Sequence, residues 1–318
     1  MTGPQKLNPG TQVGIDASGF DGNLSAADDN LQAAMDTIDN LVLGGYPPVT
    51  SVNGKTGAVV LTPLDISSRE VLAANRTYYV RTDGNDANTG LANDAAHAFL
   101  TPQHAINVAT ALDLSIYSVE IDVADGTYAQ VLTIKSYLGA GPITIKGNTT
   151  TPSNCILSAS NGVWASEVSG LWIVKGFKTT GSGINVYASG GNTHIQIGEW
   201  NFAGTSGQHV YVNAHAWVEL IANYTISAGC LIHMQGSGGG MVQTGTSTCT
   251  LTGTPNFTAA FAYADVCGIV RCSLTFSGAA TGKRYESDSL SLIFVNGAGA
   301  TYFPGNSAGT TSGGGQYI

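Results

Sequence analysis

A period of about 25 residues governs the chain from Leu171 to Val295. An apolar residue recurs with a glycine close behind it: Phe177 to Gly181, Phe202 to Gly204, Ile226 to Gly229, Leu251 to Gly253 and Phe276 to Gly278. These apolar positions step by 25, 24, 25 and 25 residues. A second series, Ile195, Val218, Val242, Ile269 and Leu292, steps by 23, 24, 27 and 23. A rougher third series runs Ile184, Val210, Ile232, Phe261. A fixed period of this size marks a stacked repeat architecture.

Inside each repeat the pattern alternates. In His209-Val210-Tyr211-Val212-Asn213-Ala214-His215-Ala216 every second residue is small or apolar, and Ile195-Gln196-Ile197 and Leu290-Ser291-Leu292 behave alike. Period two means strands with one buried face. Three short strands fill each repeat, punctuated by Gly, Ser, Thr and Asn, and no helix fits. The simplest closed solution is all-β: a parallel β-helix with 24–25 residues per coil, in which like residues stack on like. A propeller blade needs about 40 residues, and a sandwich would not hold so steady a period.

Composition supports a solenoid with tight turns. The 318 residues include 42 glycines, and only 10% are charged. The net charge of −9 opposes a nucleic-acid partner, which calls for clustered Lys and Arg, and the longest basic run is Lys283-Arg284. No apolar stretch approaches the roughly 18 residues that span a bilayer, so no membrane insertion is expected. The N-terminus lacks a basic-then-apolar signal, so export by that route is not expected. Five cysteines, an odd number, without a CxxC pair or Cys/His cluster read as free core thiols rather than disulfides or zinc ligands.

Five regions follow in order. Residues 1–45 form an attachment segment. Ser25 with Asp28 resembles a capping box, and Leu24, Leu31 and Ile38, with Ala27, Ala34 and Leu41, make a heptad stripe ending at Gly44-Gly45. This short helix either packs on its own domain or bundles several chains. Residues 46–75 are a linker in which Asn53-Gly54, between two β-prone runs, signals a hairpin. Residues 76–112 are the entry to the shaft and contain the Asp/Asn/Gly-rich run Asp83 to Gly90. Residues 113–300 are the shaft, and 301–318 a Gly/Ser-rich tail.

Two segments carry a family resemblance. Ser51-Val52-Asn53-Gly54-Lys55-Thr56-Gly57-Ala58-Val59-Val60-Leu61 resembles a linker found in many bacteriophage tail-fibre proteins. Tyr78 to Gly90, containing Asp83-Gly84-Asn85-Asp86-Ala87-Asn88-Thr89-Gly90, followed by Ala98 to Ile106, resembles the opening of right-handed parallel β-helix domains of the pectate-lyase-like superfamily, as in phage fibres and tailspikes. There a helix, here Thr101 to Leu112, caps the first coil; Asp125-Gly126-Thr127-Tyr128 resembles that coil's turn. The resemblance implies a homotrimeric virion protein of the tail or virion surface. It would be assembled in the host cytoplasm, joined to other virion proteins through its N-terminal segment, and would touch a host-surface glycan or receptor.

Candidate sites follow from residue type and position. Asp83, Asn85, Asp86 and Asn88 cluster hard oxygen donors that suit calcium, or simply make tight turns; no other cofactor is indicated. Cleavage of a polysaccharide needs paired carboxylates. Glu120 and Asp122 alternate outward on one strand, as any solvated face does, while Glu199 and Glu219 are lone carboxylates 20 residues apart. No catalytic constellation of the superfamily carries over. A binding surface is better supported. With Val210 and Val212 facing in, His209, Tyr211, Asn213 and His215 face out, joined by Asn185 and Tyr187 one coil earlier and His233 and Gln235 one coil later. Trp217 stands beside Glu219 on another strand face, whereas Trp172 and Trp200 read as core. The polar and aromatic ladder suits glycan contact, a wet subunit interface or plain solvent. Three functions remain in play: a non-catalytic receptor-binding fibre, a surface-polysaccharide depolymerase, and a capsid-attached spike.

Overall fold

The structure is a computed structural model that describes residues 51–52, 55–56, 69–204 and 207–318. Leu24, Leu31, Ile38 and Leu41 lie outside the described residues. Ser51–Val52 pairs antiparallel with Lys55–Thr56, the pairing that the intervening Asn-Gly signal calls for.

Arg69–Ile318 is a separate unit and forms a parallel β-solenoid of about eight turns. A complete coil contributes one strand to each of three parallel sheets. The first sheet runs from Arg76–Val80 and Val119–Val123 through His194–Gly198, Trp217–Leu220 and Met241–Thr244 to Leu292–Phe294 and Gln316–Tyr317. The second begins at Gly126–Tyr128 and ends at Thr275–Ser277. The third begins at Leu132–Thr133 and includes Val163–Ser166, Val186–Ser189, Gln208–Asn213, Cys230–Gly236, Asn256–Ala264 and Tyr285–Ser287. A coil cannot satisfy its own backbone donors and acceptors. Each strand therefore bonds to the coil above and below, at about 4.8 Å per step.

This stacking explains the period. The inward column of the first sheet is Ile195, Val218, Val242, Val270 and Ile293, all fully buried. The sequence series placed Ile269 and Leu292 in this column. The structure shifts both by one residue, and they face outward. Ile269-Val270 and Leu292-Ile293 each offer two adjacent apolar residues, so alternation alone cannot fix the register. The helix Pro102–Thr110 follows its N-cap Thr101 and buries Ala105, Ile106 and Ala109 against the first strands. It contributes to the apolar core at the start of the stack.

The corner between the third and first sheets is a column of two-residue turns. Ala214-His215, Gly238-Gly239, Val266-Cys267, Ser289-Leu290 and Gly313-Gly314 all have both residues at positive φ. Each turn bonds to the next: His215 N–H to Gly238 O, Gly239 N–H to Val266 O, Cys267 N–H to Ser289 O, and Leu290 N–H to Gly313 O, at 3.0–3.2 Å. Val266 holds φ 46° despite its branched side chain. A left-handed conformation costs an L-residue about 1–2 kcal/mol, against an entropic cost of about 0.5–1 kcal/mol for glycine. Val266→Gly is therefore expected to raise stability by roughly 0.5–1 kcal/mol, and Gly238→Val to lower it by roughly 1–2 kcal/mol. Chemical unfolding midpoints check this, and equal midpoints would contradict it.

Candidate binding surface

The third sheet places Thr133, Trp164, Tyr187, Tyr211, Gln235, Tyr263 and Glu286 in one outward column. Each aromatic member follows a small or apolar residue and precedes another: Val163-Trp164-Ala165, Val186-Tyr187-Ala188, Val210-Tyr211-Val212, Ala262-Tyr263-Ala264. The flanking residues are buried and anchor the strand, so the ring between them must project outward. Trp164 and Tyr187 stack at 4.0 Å between centroids with planes 26° apart, and Tyr187 and Tyr211 lie 5.7 Å apart. All four rings are half-buried, so they expose faces and edges together. Beside them Asn213 accepts from the Tyr187 hydroxyl and donates to that of Tyr211, each at 3.5 Å. Gln235 is mostly buried and accepts from Gln208 Nε2 at 3.3 Å. Tyr263 donates to Asp288 at 3.1 Å. The sequence reading found Tyr187, Tyr211 and Gln235 but missed Trp164 and Tyr263. The apolar–aromatic–apolar triplet would have found both.

Other expected ladder members lie elsewhere. His209 and His233 are fully buried, which corrects their outward placement, and Asn185 is likewise buried. Alternation fails where these strands leave the corner: His209 and Val210, then His233 and Met234, point inward in succession. His215 is exposed, but on a left-handed turn rather than a strand. Trp217 projects from the first sheet and stacks on His194 at 4.1 Å, away from the ladder. Trp172 and Trp200 are core residues, as expected.

The two buried histidines form a fixed proton chain. His209 Nε2 lies 3.2 Å from Gly204 O, so it carries hydrogen there and leaves Nδ1 bare. His233 Nδ1 must then donate to His209 Nδ1 across 3.0 Å, and Tyr224 OH donates to His233 Nε2 at 2.8 Å. Every polar atom is satisfied only when both rings are neutral. Burial pushes His209 down to about 4 and His233 well below its ordinary value, the second aided by its neighbour.

The carboxylates are dispersed. Lys146 Nζ lies 2.9 Å from Glu120 and 3.7 Å from Asp122, bridging the two. Glu199 sits in a left-handed turn at φ 41°. Glu219, on the first sheet, is held by Gln196 at 2.7 Å, His194 at 3.1 Å and Gln243 at 3.4 Å. The loop oxygens proposed for calcium are engaged locally. Asp86 accepts from Leu100 N–H, Thr101 N–H and Thr101 Oγ1, clamping the helix start. Asp83 pairs with Arg81, Asn85 closes a turn on Ala87 N–H, and Asn88 donates to Ala95 O and Ala98 O. These contacts are those of a built turn. Among the described residues no cluster of His, Cys, Asp or Glu suits a metal, and no helix is long and apolar enough to cross a membrane. All five cysteines are free; Cys267 alone is exposed, and burial raises Cys155, Cys230 and Cys249 to about 12.

The fold and these surfaces define a parallel β-solenoid with patterned outer faces. No family model, curated protein or solved structure matches the chain.

Because folding lowers both buried histidines' affinity for protons, the unfolded chain binds more protons below pH 6.5. Stability is full above 6.5 and is expected to fall by up to about 1.4 kcal/mol per pH unit per imidazole as pH drops toward 4. Urea unfolding across this window checks it. His209→Leu/His233→Leu should start less stable but lose most of the slope, whereas a wild-type curve already flat there would contradict the prediction.

Proposed function

We propose that this protein is a non-catalytic fibre or spike of a phage virion, multimeric and most consistent with a trimer, that attaches to a host-surface glycan. The observation that carries the glycan reading is the half-exposed aromatic column Trp164–Tyr187–Tyr211. Sugar rings present apolar C–H faces and a hydroxyl rim. Stacked aromatic faces take the former, and the half-exposed Asn213 and Gln208 amides beside them take the latter. The column repeats once per coil, so it suits an extended chain lying along the shaft. It carries no charge between Thr133 and Tyr263, which favours a neutral or weakly charged polysaccharide. The overall charge of −9 also disfavours a strongly anionic one. Binding without cleavage fits the carboxylates, since Glu120 and Asp122 share Lys146 and Glu199 and Glu219 stand alone. The virion assignment rests on the resemblance of residues 51–61 and 78–106 to phage fibre segments.

An array of bacterial surface polysaccharides, read for bound protein and for newly formed reducing or unsaturated ends, tests the reading. The expected result is retention of at least one polysaccharide with no new ends. Tyr187→Ala and Tyr211→Ala should each weaken binding about 5–10-fold, the loss of one ring contact, while Glu120→Gln should leave it unchanged. New chain ends would overturn the non-catalytic reading. Unchanged binding by both tyrosine variants would overturn the ladder.

A further inference from the structure

The longest basic run, Lys283-Arg284, plays no part in the aromatic ladder. Lys283 pairs with Glu286 at 2.8 Å. Arg284 stands one coil after Phe261 in the corner column, whose earlier members His209, His233 and Phe261 are buried. Its own side chain is half-buried. Among the described residues no acid pairs with it. Its Nε is shut off from water and has no acceptor. Its Nη1 donates to Ser307 O at 3.3 Å, a carbonyl that already accepts the Arg284 backbone N–H at 3.2 Å. A guanidinium stays charged at any ordinary pH, and holding one half-buried without an acid is costly. Beside it the fold leaves a cleft. The first and third sheets run on to Gln316–Tyr317 and Thr310–Thr311, but the second stops at Thr275–Ser277. In the last coil the loop 299–306 stands in place of its next strand, with Phe303 turned into the core. Between that loop and the turn from Gly278 to Ala280 lies a space of about 280 Å³, lined by Phe276, Ala279, Arg284, Thr301, Tyr302 and Gly305. Phe276 and Tyr302 meet edge to face at 5.3 Å, and both contact Phe303. Gly305 lets the loop close over the arginine stem, since a Cβ there would meet Arg284 Cγ at 3.1 Å and Gly282 O at 2.7 Å.

We propose that this cleft binds one carboxylate carried on a six-membered ring, the chemistry of an acidic sugar residue. Charge and shape select the carboxylate. One guanidinium offers a single positive charge and a planar set of donors, which match a planar monoanion. A phosphate dianion calls for further bases, and Lys283 is already paired. The wall selects the ring. Phe276 and Tyr302 offer apolar surface to its C–H face, and Thr301 offers a hydroxyl to its rim. The volume lies just under the roughly 300–1,000 Å³ of sites for drug-sized ligands, so it fits one ring and not a chain. A single charge per ligand also agrees with a protein of net charge −9, which repels polyanions. The cleft is separate from the Trp164–Tyr187–Tyr211 ladder and asks for a charged ligand where the ladder asks for a neutral one. The assignment therefore stands whether or not the ladder binds glycan.

The test is a ligand-observed NMR titration of the full chain at neutral pH with glucuronate, glucose, cyclohexanecarboxylate and inorganic phosphate. The expected result is millimolar binding of glucuronate, tighter than that of the other three. Arg284→Gln should weaken it by about 10-fold, the loss of a charge-assisted pair. Arg284→Lys keeps the charge without the planar donors and should weaken it by less. Ala279→Trp, at an exposed position, should block the cleft and abolish binding with Arg284 intact. Lys175→Gln removes an equal charge from a strand of the first sheet and should leave binding unchanged. A retained β-sheet dichroism signal shows that each variant is folded. No binding of glucuronate, or binding that Arg284→Gln and Ala279→Trp leave unchanged, overturns the site. Phosphate held as tightly as glucuronate overturns the carboxylate, and cyclohexanecarboxylate held as tightly overturns the sugar.

Discussion

The backbone hydrogen bonds that run between coils are the constraint on which everything else depends. No coil can close its own ladder, so each is held by its neighbours along the stack. In-register parallel pairing then forces equivalent residues to meet at one fixed spacing. The buried column of Ile195, Val218, Val242, Val270 and Ile293 is one result. The column of left-handed turns, each bonded to the next, is another. The same rule operates outside the core, where any side chain that projects outward becomes one rung of a column.

Function on such a scaffold is therefore written chiefly in columns. The three outer faces share one backbone geometry but differ in chemistry. The third sheet presents aromatic rings with amides beside them. The first carries an apolar column, Leu171, Trp217, Met241, Ile269 and Leu292 with His194, beside a polar one in which Glu219 is held by His194, Gln196 and Gln243. The second is plainly polar. The buried His209–His233–Tyr224 chain belongs to none of these faces. It fills a corner where two successive residues turn inward and the core must accommodate polar atoms.

Most of the architecture was legible in the sequence because period and alternation are direct consequences of stacking. The parallel solenoid and the Tyr187–Tyr211–Gln235 register followed from counting, while the helix after Thr101 was expected from the resemblance of residues 78–106. The losses have specific causes. Alternation is ambiguous wherever two apolar residues adjoin, as at Ile269-Val270 and Leu292-Ile293, and a one-residue slip exchanges inside for outside. It also fails at corners, where His209 and His233 turn into the core. Left-handed turns at Val266-Cys267 and Ser289-Leu290 lack the glycines that usually betray them. The partners of Asp86 and Glu219 come from other coils or distant loop positions, which no local motif records. Trp164 was legible in principle, since its triplet repeats that of Tyr187 23 residues later.

The central claim is that an outward aromatic column holds a glycan that the protein leaves intact. A crystal structure of the chain with an oligosaccharide fragment of a bound surface polysaccharide tests it most directly. The account predicts sugar rings against Trp164, Tyr187 and Tyr211, with the chain running along the coil axis and its glycosidic bonds whole. Sugar seated instead beside Glu219 or Glu120, or present only as cleaved fragments, would contradict it.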